Sequence, residues 1–170
     1  MKSIFSRLTL AALIFSAFGI QPVLAGEIAV SKGDTVAFLG DSITAAGRRK
    51  GGYCHLVITE LNKQRLGVTP VYAGISGHKS DQMLKRLEND VLSKNPDWMT
   101  LSCGVNDVWH GARGVSLDAY KKNITEIVTR AQSAGVKVML LTSTMIGEDQ
   151  GTANNRKLAA YNAFLKELAQ

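Results

Sequence analysis

Cysteine and proline are both scarce in this sequence: its 170 residues include two cysteines and three prolines. Two cysteines cannot build a disulfide framework, and they cannot complete a four-ligand zinc site without histidines or acids. So few prolines, with no low-complexity tract, exclude a disordered chain. No long basic run exists either. The formal charge of +6 is spread out, apart from Arg48-Arg49-Lys50 and Lys121-Lys122. A dispersed positive charge argues against a nucleic-acid partner. After residue 25, no apolar run approaches the roughly 20 residues that span a bilayer. No G-x-x-x-x-G-K-[ST] loop is present to cradle a phosphate. With 45% apolar and 20% charged residues, and no internal repeat or interdomain linker, the chain reads as one globular domain.

The start of the chain reads as an address. Lys2 and Arg7 precede the short apolar run Leu8 to Ile20, which Gln21-Pro22 interrupts, and Val23-Leu24-Ala25 supplies small or modest residues for cleavage. This is the layout of a secretory signal peptide over residues 1–25, with a mature chain of residues 26–170. Removing Lys2 and Arg7 lowers the formal charge from +6 to +4. No cysteine follows the run, so no lipid anchor is expected. An exported protein, periplasmic or secreted, with no membrane attachment after processing, is the expectation. Cys54 and Cys103 are expected to be two buried free thiols.

The remaining chain alternates strand and helix. Thr35 to Leu39, Thr69 to Ala73, Trp98 to Cys103 and Val136 to Thr142 are short apolar runs that read as strands. Between them, helical spacing appears over Tyr53 to Leu66, over Ser80 to Ser93 with Ser80 as N-cap, and after Ser116, with Gly135 placed to stop that helix. A last helix is expected from Arg156 to Gln170. Alternation of this kind implies parallel pairing in a three-layer α/β sheet. Three polar loops follow strand ends: Gly40-Asp41-Ser42, Gly74-Ile75-Ser76-Gly77 and Gly104-Val105-Asn106-Asp107. In open α/β sheets that edge binds ligands.

Each loop residue has an ordinary reading and a chemical one. Ser42 is either an N-cap serine or a nucleophile held at a helix N-terminus. Gly77 is a turn glycine, or a point where a backbone N–H approaches a ligand. Asn106 holds a turn, or donates its amide to an oxyanion. Together they supply one hydroxyl and three donors, which is equipment for acyl transfer. Trp109 is either an apolar wall for a sugar or acyl group or a residue packed on the third helix. Asn123-Ile124-Thr125 is a glycosylation sequon inside an expected helix and is discounted.

Phe38-Leu39-Gly40-Asp41-Ser42-Ile43-Thr44 resembles the first block of the GDSL, or SGNH, hydrolases. Gly74-Ile75-Ser76-Gly77 resembles the second block and Gly104-Val105-Asn106-Asp107 the third. Tyr161-Asn162, then Leu165 and Leu168, resembles the helix before the family's last strand. The resemblance implies a flavodoxin-like sheet and hydrolysis of carboxylic esters of sugars, lipids or other acyl groups, without metal or cofactor. It makes Ser42 the nucleophile, with Gly77 and Asn106 completing the oxyanion hole. Asp41 and Asp107 are read as residues that hold their loops.

The family carries its base in a late Asp-x-x-His motif after a fifth strand. The expectation is that this chain has no such motif, with none of His55, His78 and His110 read as following an Asp at that spacing. The fold is therefore expected to be incomplete at its C-terminus, without the fifth strand, the last helix and the catalytic Asp and His. His110 and, behind it, His78 are the substitute bases considered, and His55 reads as a helix-surface residue. The expectation is an exported serine esterase acting on a small-molecule or carbohydrate ester, with acetylated carbohydrate first among substrates. The alternative is a remnant or a sugar-binding protein without catalysis.

Overall fold

Each of the four apolar runs becomes a strand in the computed structural model, which describes residues 28–170. Strand β1 is Thr35–Gly40, β2 Thr69–Gly74, β3 Trp98–Ser102 and β4 Lys137–Leu141. All pair in parallel, in the order β2-β1-β3-β4. The helices are α1 (Ser42–Gly47), α2 (Tyr53–Lys63), α3 (Ser80–Asp90), α4 (Val105–Trp109), α5 (Leu117–Ser133) and α6 (Ala153–Leu168). The leader read at residues 1–25 lies outside the described residues. No helix among the described residues is long and apolar enough to cross a membrane.

The central strand shows why three layers form. Ala37 and Leu39 of β1 point to one face, into a core with Met83 and Leu87 of α3, Ile124 of α5 and Leu158 and Leu165 of α6. Val36 and Phe38 point to the other face, against Cys54 and Ile58 of α2. A strand buried on both faces has no polar alternation, as parallel sheets with helices on each side require. Cys54 and Cys103 are both buried and unbonded.

Helix ends depart from the sequence reading where local chemistry intervenes. The position before α3 is taken by Lys79, and Ser80 is the first helical residue, because the Ser80 hydroxyl is engaged elsewhere. Helix α2 stops at Lys63, and the positive φ of Arg65 and Gly67 turns the chain away. Helix α6 begins at Ala153, where Thr152 Oγ1 accepts the Asn155 N–H at 3.2 Å. Helices α1 and α4, of six and five residues, are too short for a periodic pattern to reveal. The fifth strand and further helix implied by the family resemblance are not among the described residues.

Pairing register sets the site. Gly40 lies opposite Gly74 on one side and Ser102 on the other, so β1, β2 and β3 end level and their loops emerge side by side. Connections leave β1 and β3 in opposite directions, which opens the crevice of a doubly wound sheet between them. Among the described residues, strand β4 pairs on one side only and lies at the sheet edge, with Met139 51% exposed. Over β3 and β4 the α2 face stays open as an apolar groove of about 140 Å3, walled by Phe38, Val57, Trp98 and Met139.

Gly74 lets α1 lie directly on β2. A Cβ there would sit 2.6 Å from the Thr44 carbonyl carbon and closer still to the Ala45 nitrogen. Backbone cannot yield as a side-chain tip can, so Gly74→Ala should cost about 1–3 kcal/mol or more, as overpacking does. Urea unfolding checks this, and a variant as stable as wild type would contradict the contact.

Candidate active site

The first loop is organised by a carboxylate. Asp41 caps α1, its Oδ1 accepting the Ile43 N–H at 2.9 Å. This makes Ser42 the first residue of the helix and leaves it exposed. In the second loop, the Ile75 N–H reaches the Gly40 carbonyl at 3.0 Å and the His78 N–H returns to the Ile75 carbonyl at 3.3 Å. The turn between them needs a left-handed residue, and Gly77 supplies it with φ +78°. In the third loop, Asn106 Nδ2 donates to Asp41 Oδ2 at 3.4 Å and to the His78 carbonyl at 3.2 Å. One amide therefore ties all three loops together.

Below them lies Asp107, fully buried. It accepts from the Ser80 N–H at 3.0 Å, from the Ser80 hydroxyl and from the Cys103 thiol at 3.5 Å. Asn123 of α5 donates to the same hydroxyl at 3.0 Å. A buried charge is retained only when its oxygens are satisfied, and here the third loop is fastened to the start of α3 in satisfying them. Burial raises the Asp107 carboxyl above its ordinary value, against the lowering bonds from Ser80. Burial likewise raises Asp41, opposed by the Ile43 N–H and reinforced by the Asp107 charge.

Ser42, Gly77, Asn106 and His110 line one groove of about 410 Å3, with Ile43, Val105, Trp109, Thr144 and Met145. Trp109 is 58% exposed and stands as a wall of that groove. Arg48, Arg49 and Lys50 are exposed and do not line it. Asn123 lies within α5 and is half-buried against Ser80, so its sequon is spent on structure.

The histidines separate clearly. His110 lines the groove at the end of α4. One spacing escapes the sequence reading: Asp107-Val108-Trp109-His110 is itself an Asp-x-x-His. Its carboxylate is committed to Ser80, and among the described residues no histidine shares a hydrogen bond with a carboxylate. His55 lies on α2 with a buried, unpartnered Nδ1. His78 is held by a residue that sequence reasoning passes over. Arg86 donates Nε to His78 Nδ1 at 3.1 Å, Nη2 to the Gly40 carbonyl at 3.0 Å and Nη1 to Asp90 at 2.8 Å. Its only sequence trace is an arginine one turn before an acid on α3.

The far wall depends on α6. Asn162 exchanges two bonds with Ser143, at 2.8 and 2.9 Å, and Asn155 does the same with Ile146, at 2.8 and 3.0 Å. These fix the segment carrying Thr144 and Met145. Asparagines set within an apolar helical stripe are the sequence sign of such anchors.

His78 is pushed below its ordinary value by burial and then by the Arg86 charge. In Arg86→Gln its titration midpoint should move up toward the ordinary 6.5, so the neutral ring persists over a narrower range as pH falls. Imidazole NMR signals followed from pH 5 to 8 check this, and an unmoved midpoint would leave burial as the cause without Arg86.

Residues 38–170 match the GDSL-like Lipase/Acylhydrolase family. The chain is 27% identical over 161 residues to an acetylxylan esterase of Geobacillus stearothermophilus, covering 83% of this chain and 74% of that protein. It is 26% identical over 134 residues to thioesterase 1/protease 1/lysophospholipase L1 of Escherichia coli K12, covering 79% of this chain and 62% of that one. Among solved structures, the acetyl xylan esterase AlAXEase superposes with a TM-score of 0.74 at 37% identity, over 79% of this chain and 72% of its own. Axe2, the acetylxylan esterase from Geobacillus stearothermophilus, gives 0.76 at 28%, over 84% and 74%. With the three blocks on one rim of a parallel sheet and 133 consecutive residues matched, the chain belongs to the GDSL-like lipase/acylhydrolase family.

Proposed function

We propose that this chain, once exported, hydrolyses carboxylic esters through an acyl-enzyme on Ser42, with acetylated carbohydrate as the substrate class. The observation that carries the reading is the convergence of Ser42, Gly77 and Asn106 on one open groove. The acetylxylan esterases among its relatives support the substrate class. The exposed Trp109 wall offers a sugar ring a flat apolar face.

In this reading Ser42 Oγ attacks the ester carbonyl and gives up its proton. The tetrahedral oxyanion then takes the Ser42 N–H, the Gly77 N–H and the Asn106 amide. Asn106 is available for this because its present bonds, at 3.4 and 3.2 Å, are long for N–H···O. A developing oxyanion makes a shorter, charge-assisted bond. Collapse breaks the ester C–O bond, and the departing oxygen takes the serine's proton back from the acceptor to leave as the alcohol. Water then attacks the acyl-serine, its proton passing by the same acceptor to Ser42 Oγ as the acid is released. His110, on the groove wall, is the proton acceptor the described residues offer.

A second reading rests on a specific observation. No hydrogen bond joins His110 to Ser42, and no carboxylate orients its ring among the described residues. A serine without an oriented base keeps only weak catalysis, about 10³–10⁴-fold over water. That reading is a protein that binds such esters without turning them over.

A fluorophosphonate probe should label Ser42 alone, and Ser42→Ala should abolish the labelling. Asn106→Ala should slow labelling and any ester turnover about 10²–10³-fold, as loss of one oxyanion donor does. Turnover of p-nitrophenyl acetate that falls in His110→Ala supports catalysis. Labelling without turnover favours the binding reading, and labelling of another serine refutes the assignment.

A further inference from the structure

Beside the serine groove lies a second hollow of about 230 Å3, lined by Gly77, Lys79, Gln82, His110 and Arg113. Gly77 and His110 belong to both, so a molecule whose ester lies at Ser42 can extend a neighbouring group into it. Two of the five lining residues are cations and none is an acid. Neither cation is neutralised: among the described residues the ion pairs are Lys63–Glu60, Arg86–Asp90 and Arg130–Glu88. Lys79 is also held in place, its Nζ donating to the Arg113 main-chain carbonyl at 2.7 Å. That bond draws the loop after α4 onto the start of α3. The acid of the first turn, Asp81, does not line the hollow. Gln82 is fixed as well, its Oε1 accepting the Lys79 N–H at 3.1 Å. This leaves its amide hydrogens for a ligand.

A neutral acetylated sugar has no use for two unpaired cations. Two cations lining one hollow without counter-charge repel, and an anion relieves that repulsion. The planar guanidinium of Arg113 suits a carboxylate or a phosphate, which it can grip with two parallel bonds.

Resting on the reading of Ser42 as the ester-binding residue, we infer that this hollow is a subsite for an anionic substituent of the substrate. The ester carries a carboxylate or phosphate group next to its scissile bond. A uronic acid beside an acetylated sugar and a phosphate headgroup of a lipid ester are the two sources of that chemistry.

Binding to the full 170-residue chain, 15N-labelled, tests the inference by NMR titration. The probes are methyl glucuronoside, glycerol 3-phosphate and the neutral methyl glucoside. At least one anion should shift the amide signals of Gly77, Lys79, Gln82 and Arg113, and the glucoside at equal concentration should not. Raising salt from 20 to 200 mM should weaken that binding several-fold, as screening requires. Arg113→Gln should weaken it at least fivefold while keeping the Lys79 bond, which uses only the main-chain carbonyl of residue 113. Glucuronoside binding alone names an acidic sugar, and phosphate binding alone names a headgroup. The inference is overturned if neither anion binds, if the glucoside binds equally well, or if Arg113→Gln changes nothing. Fluorophosphonate labelling of the same sample separates the two ideas: a silent Ser42 counts against the esterase reading, and anion binding is scored independently of it.

Discussion

The arrangement of the site depends on one buried carboxylate. Asp107 has no exposed surface, and a charged group so placed is tolerated only when its oxygens are fully engaged. Ser80 meets that demand through both its N–H and its hydroxyl. The demand therefore reaches beyond the third loop. It selects Ser80 as the first residue of α3, draws Asn123 of α5 onto the same hydroxyl, and sets Asn106 where its amide crosses to Asp41 and the His78 carbonyl. Removing the carboxylate would leave several donors unpaired at once, which is why such networks act as units.

Two carboxyl groups near one another in a desolvated place oppose the stability of the fold. Burial raises both Asp41 and Asp107, and the Asp107 charge raises Asp41 further. Because their folded values lie above the ordinary carboxylate value of 3.8, their charged forms cost stability as pH rises through those values. The apolar cores on the two sheet faces offset this cost. The site carries the cost of desolvated charge, and the sheet beneath it carries the apolar packing.

The strands were legible because each is a short apolar run closed by glycine or a polar loop, as in Thr35 to Gly40. The long helices showed their periodicity, and Ser116 and Gly135 marked the ends of α5. The rim that gathers Ser42, Gly77 and Asn106 also followed from order alone, since loops after parallel strands share one edge. What stayed hidden involves partners distant in sequence. Ser80 looks like a helix cap until Asp107, 27 residues later, claims its hydroxyl. Arg86 looks like an exposed helix arginine until the fold brings the Gly40 carbonyl to it, 46 residues away. Asp107 and His110 have the spacing of a catalytic pair, yet the direction of the Asp107 side chain divides them, and spacing does not encode direction.

The groove also has an order of assembly. Its near wall, with Ser42, Gly77 and Asn106, comes from the first two thirds of the chain, but Thr144 and Met145 are held by Asn155 and Asn162 of α6. A chain emerging from its N-terminus first has Ser42, Gly77 and Asn106 in hand well before the residues that shape the opposite side. During synthesis, a half-built groove presents the Ser42 hydroxyl without an enclosing surface. Any contact that needs both walls therefore waits until α6 docks.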